Sequence, residues 1–178
     1  MKKIFTLLFI SVFIFTGCSM KVENKNTPTY KVKTYLDSYN KLDDNLLDDL
    51  NDLIDDMKSY SDTQKERYRE LMKKHYKDLK YDIKSEKIDG DDATVEVEIE
   101  VYDYSNIMNK NVDMSDFKKE DETYDMNAYY NYQLDQLEKV KNKVKYTINF
   151  SLKKDNGEWT IIEPSEVVKQ KIHGIYAK

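Results

Sequence analysis

The sequence predicts an α+β domain: two to three N-terminal helices packed on one face of a curved, about four-stranded antiparallel sheet, with one inserted helix and a short C-terminal helix. Three observations predict it. Apolar residues recur at helical spacing from Val32 to Leu79. The period then falls to two, with Val95, Val97, Ile99 and Val101 alternating with Thr94, Glu96, Glu98 and Glu100. A second alternation, through Val144, Tyr146, Ile148, Phe150 and Leu152, follows one more helical stretch. A strand that is apolar on one side and charged on the other needs an antiparallel sheet covered on a single face. Helices gathered on that face complete a two-layer domain.

Thr27-Pro28 starts the first helix, with a capping hydroxyl followed by a residue whose fixed φ suits the first turn. Val32, Tyr35, Leu36, Tyr39 and Leu42 carry its apolar stripe, and Leu46, Leu47, Leu50, Leu53, Ile54 and Met57 continue the period. A bend near Asp43-Asp44-Asn45 is expected between them, with Asp44 or Asn45 capping the second helix. Ser61 and Gln64 have the spacing of a capping box and open a helix along Tyr68, Leu71, Met72, Tyr76 and Leu79. Tyr81 and Ile83 begin a strand, and Asp89-Gly90 is expected to form a type I′ hairpin turn. Asp125 caps a helix bearing Met126, Tyr130, Leu134 and Leu137. Asp155-Asn156-Gly157 turns the long strand back into Trp159 and Ile161. Pro164-Ser165 opens a last helix through Val168 and Ile172, with Gly174 placed to end it. Between the two hairpins, residues 105–124 lose all periodicity. They read as an exposed insertion with a short helix around residues 114–119, and as the first candidate for a partner contact.

Ahead of the domain lies a different kind of segment. Lys2 and Lys3 precede an apolar run from Ile4 to Phe15, and Thr16-Gly17-Cys18 follows. A basic start, a hydrophobic middle and small residues at the end make a secretory signal, and the run is shorter than the roughly 17 to 25 residues that span a bilayer. Phe15-Thr16-Gly17-Cys18 resembles the lipobox of bacterial lipoproteins, with Phe15 standing where that pattern has an aliphatic residue. The resemblance implies a signal peptide at residues 1–17, cleavage before Cys18, and acylation of that thiol by chains such as palmitate. It implies a chain fixed to the extracytoplasmic face of a cell membrane. Two or three acyl chains hold a protein there stably. Residues 18–27 are polar and read as the tether, reaching at most about 35 Å, and residues 28–178 read as one domain.

The formal net charge is −5, and losing Lys2 and Lys3 makes it more negative. Such a chain is repelled by nucleic acid and by anionic lipid, so nucleic acid is not an expected partner and the bilayer is reached through Cys18. Cys18 is the single cysteine. An extracytoplasmic domain without a disulfide is held by packing alone. With the lipobox in front, the element order resembles small secreted lipoproteins with a nuclear transport factor 2-like or cystatin-like domain. The residues that carry the likeness are Pro28 with Val32, Tyr35 and Leu36, and the turn Asn156-Gly157-Glu158-Trp159. The long insertion departs from the simplest members.

Several constellations suggest chemistry. Asp48-Asp49-Leu50-Asn51-Asp52 has the Asp-Asp-x-x-Asp spacing that holds magnesium and diphosphate in prenyl-transferring enzymes. Here Asp43, Asp44, Asp55 and Asp56 extend the acids along one side of an amphipathic helix, the pattern of a solvated face. The glycines fail the calcium-loop test: with Gly90 or Gly157 at position 6, Ser85 or Leu152 stands where the first ligand is needed. His75 and His173 have no partner at zinc spacing, and His75 is expected to be a partly exposed helix residue. No nucleophile elbow or phosphate loop is present, so no metal, cofactor or catalytic residue is assigned. Charge is segregated: from Asp37 to Asp62 there are nine acids against Lys41 and Lys58, and from Lys139 to Lys154 six lysines and no acid. The basic run is either an ordinary outer strand face or a patch for an acidic partner.

Two functions of different class follow. The first is a membrane-anchored, non-enzymatic binding or interaction module for a protein, peptide or envelope component. The second is a small-molecule, isomerase- or dehydratase-like site in the concave face of the sheet, with Tyr102 or Tyr146 as hydroxyl donor. That enzyme needs a buried carboxylate or histidine beside the tyrosine. Glu96, Glu98 and Glu100 are expected on the other face, which favours the first.

Overall fold

The computed structural model describes residues 24–177; the signal segment, Cys18 and the first part of the tether lie outside the described residues. Three helices lead, α1 (Pro28–Lys41), α2 (Asp44–Asp55) and α3 (Asp62–Lys77), followed by strands β1 (Lys80–Asp89) and β2 (Asp92–Tyr102). The short α4 (Ser105–Met108) and the inserted α5 (Met126–Lys139) precede β3 (Lys143–Asp155), β4 (Glu158–Ile161) and α6 (Glu166–Ile172). The strands form an antiparallel meander in the order β1-β2-β3-β4, so the domain is α+β with its helices before, within and after the sheet.

Local chemistry places each boundary. The Thr27 side chain accepts from the Tyr30 amide at 3.1 Å with Pro28 at the first helical position. Leu42, at φ +52°, ends α1 in the left-handed conformation, and Asp43 accepts from the Leu46 amide at 3.0 Å. The bend is where the sequence puts it. Its cap is Asp43 rather than Asp44 or Asn45, because the left-handed residue is used one position earlier. Ser61 and Gln64 make the reciprocal box at the start of α3. Asn156 and Gly157, at φ +48° and +86°, form a two-residue loop with the two positive dihedrals of a type I′ turn. The β1–β2 loop differs from expectation. Its central residues are Gly90 and Asp91, and only Gly90 has positive φ, so it is not type I′. The 114–119 helix is a 3₁₀ turn at Met114–Phe117.

Val95, Val97, Ile99 and Val101 of β2 and Tyr146, Ile148, Phe150 and Leu152 of β3 are all buried, on one face of the sheet. Helix α1 covers that face with Val32, Leu36 and Tyr39, and α3 adds Leu71, Met72 and Tyr76. Burying each such aliphatic side chain contributes about 1.5–3 kcal/mol. Helices α3 and α5 run parallel, since Gln64 donates to the Asn127 carbonyl while Arg67 pairs with Asp135 at 2.6 Å and Glu138 at 2.9 Å. Asn26, read as tether, is part of the folded unit. Its side chain donates to the Gly157 carbonyl at 2.7 Å and accepts from the Trp159 amide at 3.1 Å.

Candidate functional site

The inner face of the sheet is occupied by the domain's own side chains. The strand carboxylates lie on the other side, as the alternation requires. Glu98 is 3.0 Å from Lys145 and 3.7 Å from Lys84, and Glu100 is 3.6 Å from Lys80. The Lys145 ammonium holds the Glu98 carboxyl below the usual range. Half of the basic run is paired too: Lys143 with Asp78 at 2.9 Å, Lys145 with Glu98, and Lys153 with Asp92 at 3.0 Å. Lys154 lies over the Trp159 ring. Within β3 the run is therefore a largely ion-paired outer face, while Lys139 and Lys141, ahead of the strand, are exposed. On α2, Asp44, Asp48, Asp49, Asp52 and Asp55 are exposed. Among the described residues no group of three or more acids, histidines or cysteines could hold a metal ion.

The two tyrosines singled out as hydroxyl donors do not share a site. Tyr146 belongs to the buried face, and its hydroxyl donates to the Tyr176 carbonyl at 3.3 Å. Tyr102 pairs with Lys143 in the opposite alternation. Its hydroxyl bonds Asp78, and the Lys143 ammonium sits 4.9 Å from its ring. Tyr102, Asp78 and the lysines of the α3 C-terminus line a groove of about 410 Å³. A carboxylate beside a tyrosine is half of an acid–base site. The Tyr102 hydroxyl and then Lys143 push the Asp78 carboxyl below its ordinary range, however, which keeps it ionised and a poor proton carrier at neutral pH.

His75 is the clearest departure from expectation. It is fully buried, not partly exposed. Its Nε2 is 2.8 Å from the Ile172 carbonyl, and its Nδ1 has no hydrogen-bond partner. Tyr76, Tyr102 and Tyr104 surround the ring at centroid distances of 5.8, 6.2 and 5.1 Å. Burial drives its pKa down to about 4, and the same cause takes His173 to about 4. His173 faces the Tyr76 hydroxyl at 3.3 Å. Both imidazoles are neutral at pH 7 and packed by aromatic rings. The spacing held the signal: His75 follows Leu71 by four residues and Met72 by three, on the buried stripe of α3.

A larger concavity, of about 610 Å³, lies between the start of the insertion and the C-terminal tail. Asp103, Ser105, Asn106, Asn109 and Lys110 form one wall, Tyr176 the other, and Val144 and Tyr146 the floor. Asp103 is committed to the Ser105 amide and hydroxyl at 3.1 and 2.5 Å. Asn106, Asn109 and Lys110 are exposed. The suspected insertion thus contributes through residues 105–110, not through its middle. Such a surface can hydrogen-bond and stack with a ligand, and Asp103 and Tyr146 both line it. Compared with protein-family models, curated proteins and solved structures, the chain matches none.

Proposed function

We propose that the protein is a membrane-anchored extracytoplasmic lipoprotein whose domain acts as a non-enzymatic binding or interaction module, held to the bilayer through acylated Cys18. Phe15-Thr16-Gly17-Cys18 supports the anchor. Among the described residues no helix is long and apolar enough to cross a membrane. The observation that carries the binding reading is that the titratable groups near the core, His75, His173 and Asp78, have pKa values displaced away from neutrality, while the groove beside Tyr176 is lined with exposed polar side chains. The partner belongs to the classes protein, peptide or envelope component.

The second reading is a small-molecule, isomerase- or dehydratase-like site of the nuclear transport factor 2-like kind. Tyr102 beside Asp78 is the observation in its favour, and the ionised state of Asp78 weighs against it. Growth of cells with radioactive fatty acid tests the anchor. The unaltered chain takes up label and Cys18→Ser does not; no label in either overturns it. Crosslinking in the native envelope tests the module. Asn106→Ala with Lys110→Ala should lose a captured component that the unaltered chain retains, and recovery of lipid alone counts against the reading.

A further inference from the structure

The C-terminal tail closes over the end of α3, and its attachments converge on His75. The His75 Nε2 meets the Ile172 carbonyl at 2.8 Å, and the Tyr104 amide donates to the Gly174 carbonyl at 2.8 Å. Weaker bonds of 3.3 Å run from Tyr76 to His173, from Asn109 to the Ile175 carbonyl and from Tyr146 to the Tyr176 carbonyl. Gly174, at φ +70°, approaches so closely that a Cβ there would lie 2.0 Å from the Tyr102 carbonyl oxygen and 3.1 Å from the His75 ring. The tail pairs with no strand. Ile172 anchors the base of the tail in the core, and a terminal segment held beyond it by a few hydrogen bonds opens at lower free energy than a sheet core.

We propose that residues 172–176 form an acid-released strap, shut while the His75 imidazole is neutral and freed when it takes a proton. A carbonyl is an acceptor, so the Nε2 that faces Ile172 carries the ring's hydrogen and the unpartnered Nδ1 holds the lone pair. Protonation at Nδ1 creates a buried cation whose new N–H has no acceptor. The surroundings do not offset it. From α3 the ring meets Tyr76 and Asp78, from β2 and its end Tyr102 and Tyr104, from β3 Lys143, and from the strap itself His173. Lys143 and His173 oppose the added charge, and Asp78, already bound to Lys143, favours it. Lifting the strap gives both ring nitrogens to water. His173, half-buried against Tyr76, loses its own reason to stay neutral in the same movement. Tyr176 also walls the 610 Å³ groove, so an open strap removes that wall; this last consequence, unlike the strap, rests on the groove being the binding surface.

Amide hydrogen exchange on the full chain at pH 7 and pH 5, corrected for intrinsic rates, tests the strap without any ligand. The amides of Tyr104, Gly174 and Ile175 should open about 20-fold more at pH 5, while Val97 and Ile148 in the sheet stay protected far longer. His75→Gln keeps an N–H donor for Ile172 but does not titrate, and should lose most of that rise. The proposal is overturned if strap and sheet amides exchange together, if the unaltered strap shows no rise, or if His75→Gln keeps the full rise. Should that variant fail to fold, the histidine ring signals of the unaltered chain decide: a His75 ring that titrates near 6.5 with the strap still protected refutes the latch.

Discussion

The joint around His75 and the outer face of the sheet both carry polar groups, and they sit at opposite ends of the physical scale. At the joint an imidazole without solvent has one nitrogen bonded and one orphaned, and a glycine touches a backbone oxygen. On the outer face Glu98, Lys84, Lys145, Glu100 and Lys80 pair across strands in water. Buried polar groups are costly when mispaired, because nothing replaces a lost partner. Exposed ion pairs trade one solvated state for another and contribute little. The chain tolerates change on the outer face, where the charges are already satisfied by water.

Gly174→Ala should disturb the His75 joint most. The added Cβ meets the Tyr102 oxygen at 2.0 Å at a φ of +70°, so a loss of about 4 kcal/mol in urea unfolding is expected. Gly90→Ala is the control, with φ +61° and nothing within 4 Å; it should cost about 1 kcal/mol. Equal losses would mean that backbone strain alone, not the close approach, sets the effect.

Acid is the next largest lever. The folded pKa of His75 is near 4 and its ordinary value is 6.5, so the unfolded chain binds the extra proton between them. Its contribution is whole above about pH 6.5 and is lost as pH falls toward 4, a change of about 3 kcal/mol in full. Urea midpoints from pH 7 to 4.5 should fall in the unaltered chain and fall less in His75→Gln. Parallel curves would place the acid sensitivity elsewhere.

Ser61→Ala lies between the two regions, because its hydroxyl is at the surface while its partner Gln64 is buried. A loss of about 1 kcal/mol is expected, with the far-ultraviolet helix signal retained. That capping box, the Asn156-Gly157 turn and the inward alternation of β2 and β3 were readable in the sequence, since each depends on residues within a few positions of one another. The joint was only half readable. The i, i+4 spacing from Leu71 put His75 on the buried stripe, but what makes it unusual comes from Ile172, nearly a hundred residues later. The pairing of Lys143 with Asp78 has the same character, and so does Asn40, whose amide donates to the Tyr76 and Leu79 carbonyls at the end of α3. Register and tertiary closure decide such contacts, and no local pattern encodes them. The charge runs were half readable for the converse reason: counted along the chain they look segregated, whereas the fold sets three of the four lysines of β3, Lys143, Lys145 and Lys153, beside an acid of β2 or of the α3 end.

The smallest effect is expected where the ion pairs are most numerous. Glu98→Gln removes the carboxylate shared by Lys145 and Lys84, yet both lysines remain in water and keep their hydration. The urea midpoint should not move measurably in 0.15 M salt, and 1 M sodium chloride should leave unaltered and substituted chains indistinguishable, because screening already suppresses such pairs. A clear destabilisation that salt abolishes would mean that the outer face acts as a coupled charge network. The contrast with the His75 joint would then be one of degree, and the sheet's outer surface would carry stability that its exposure argues against.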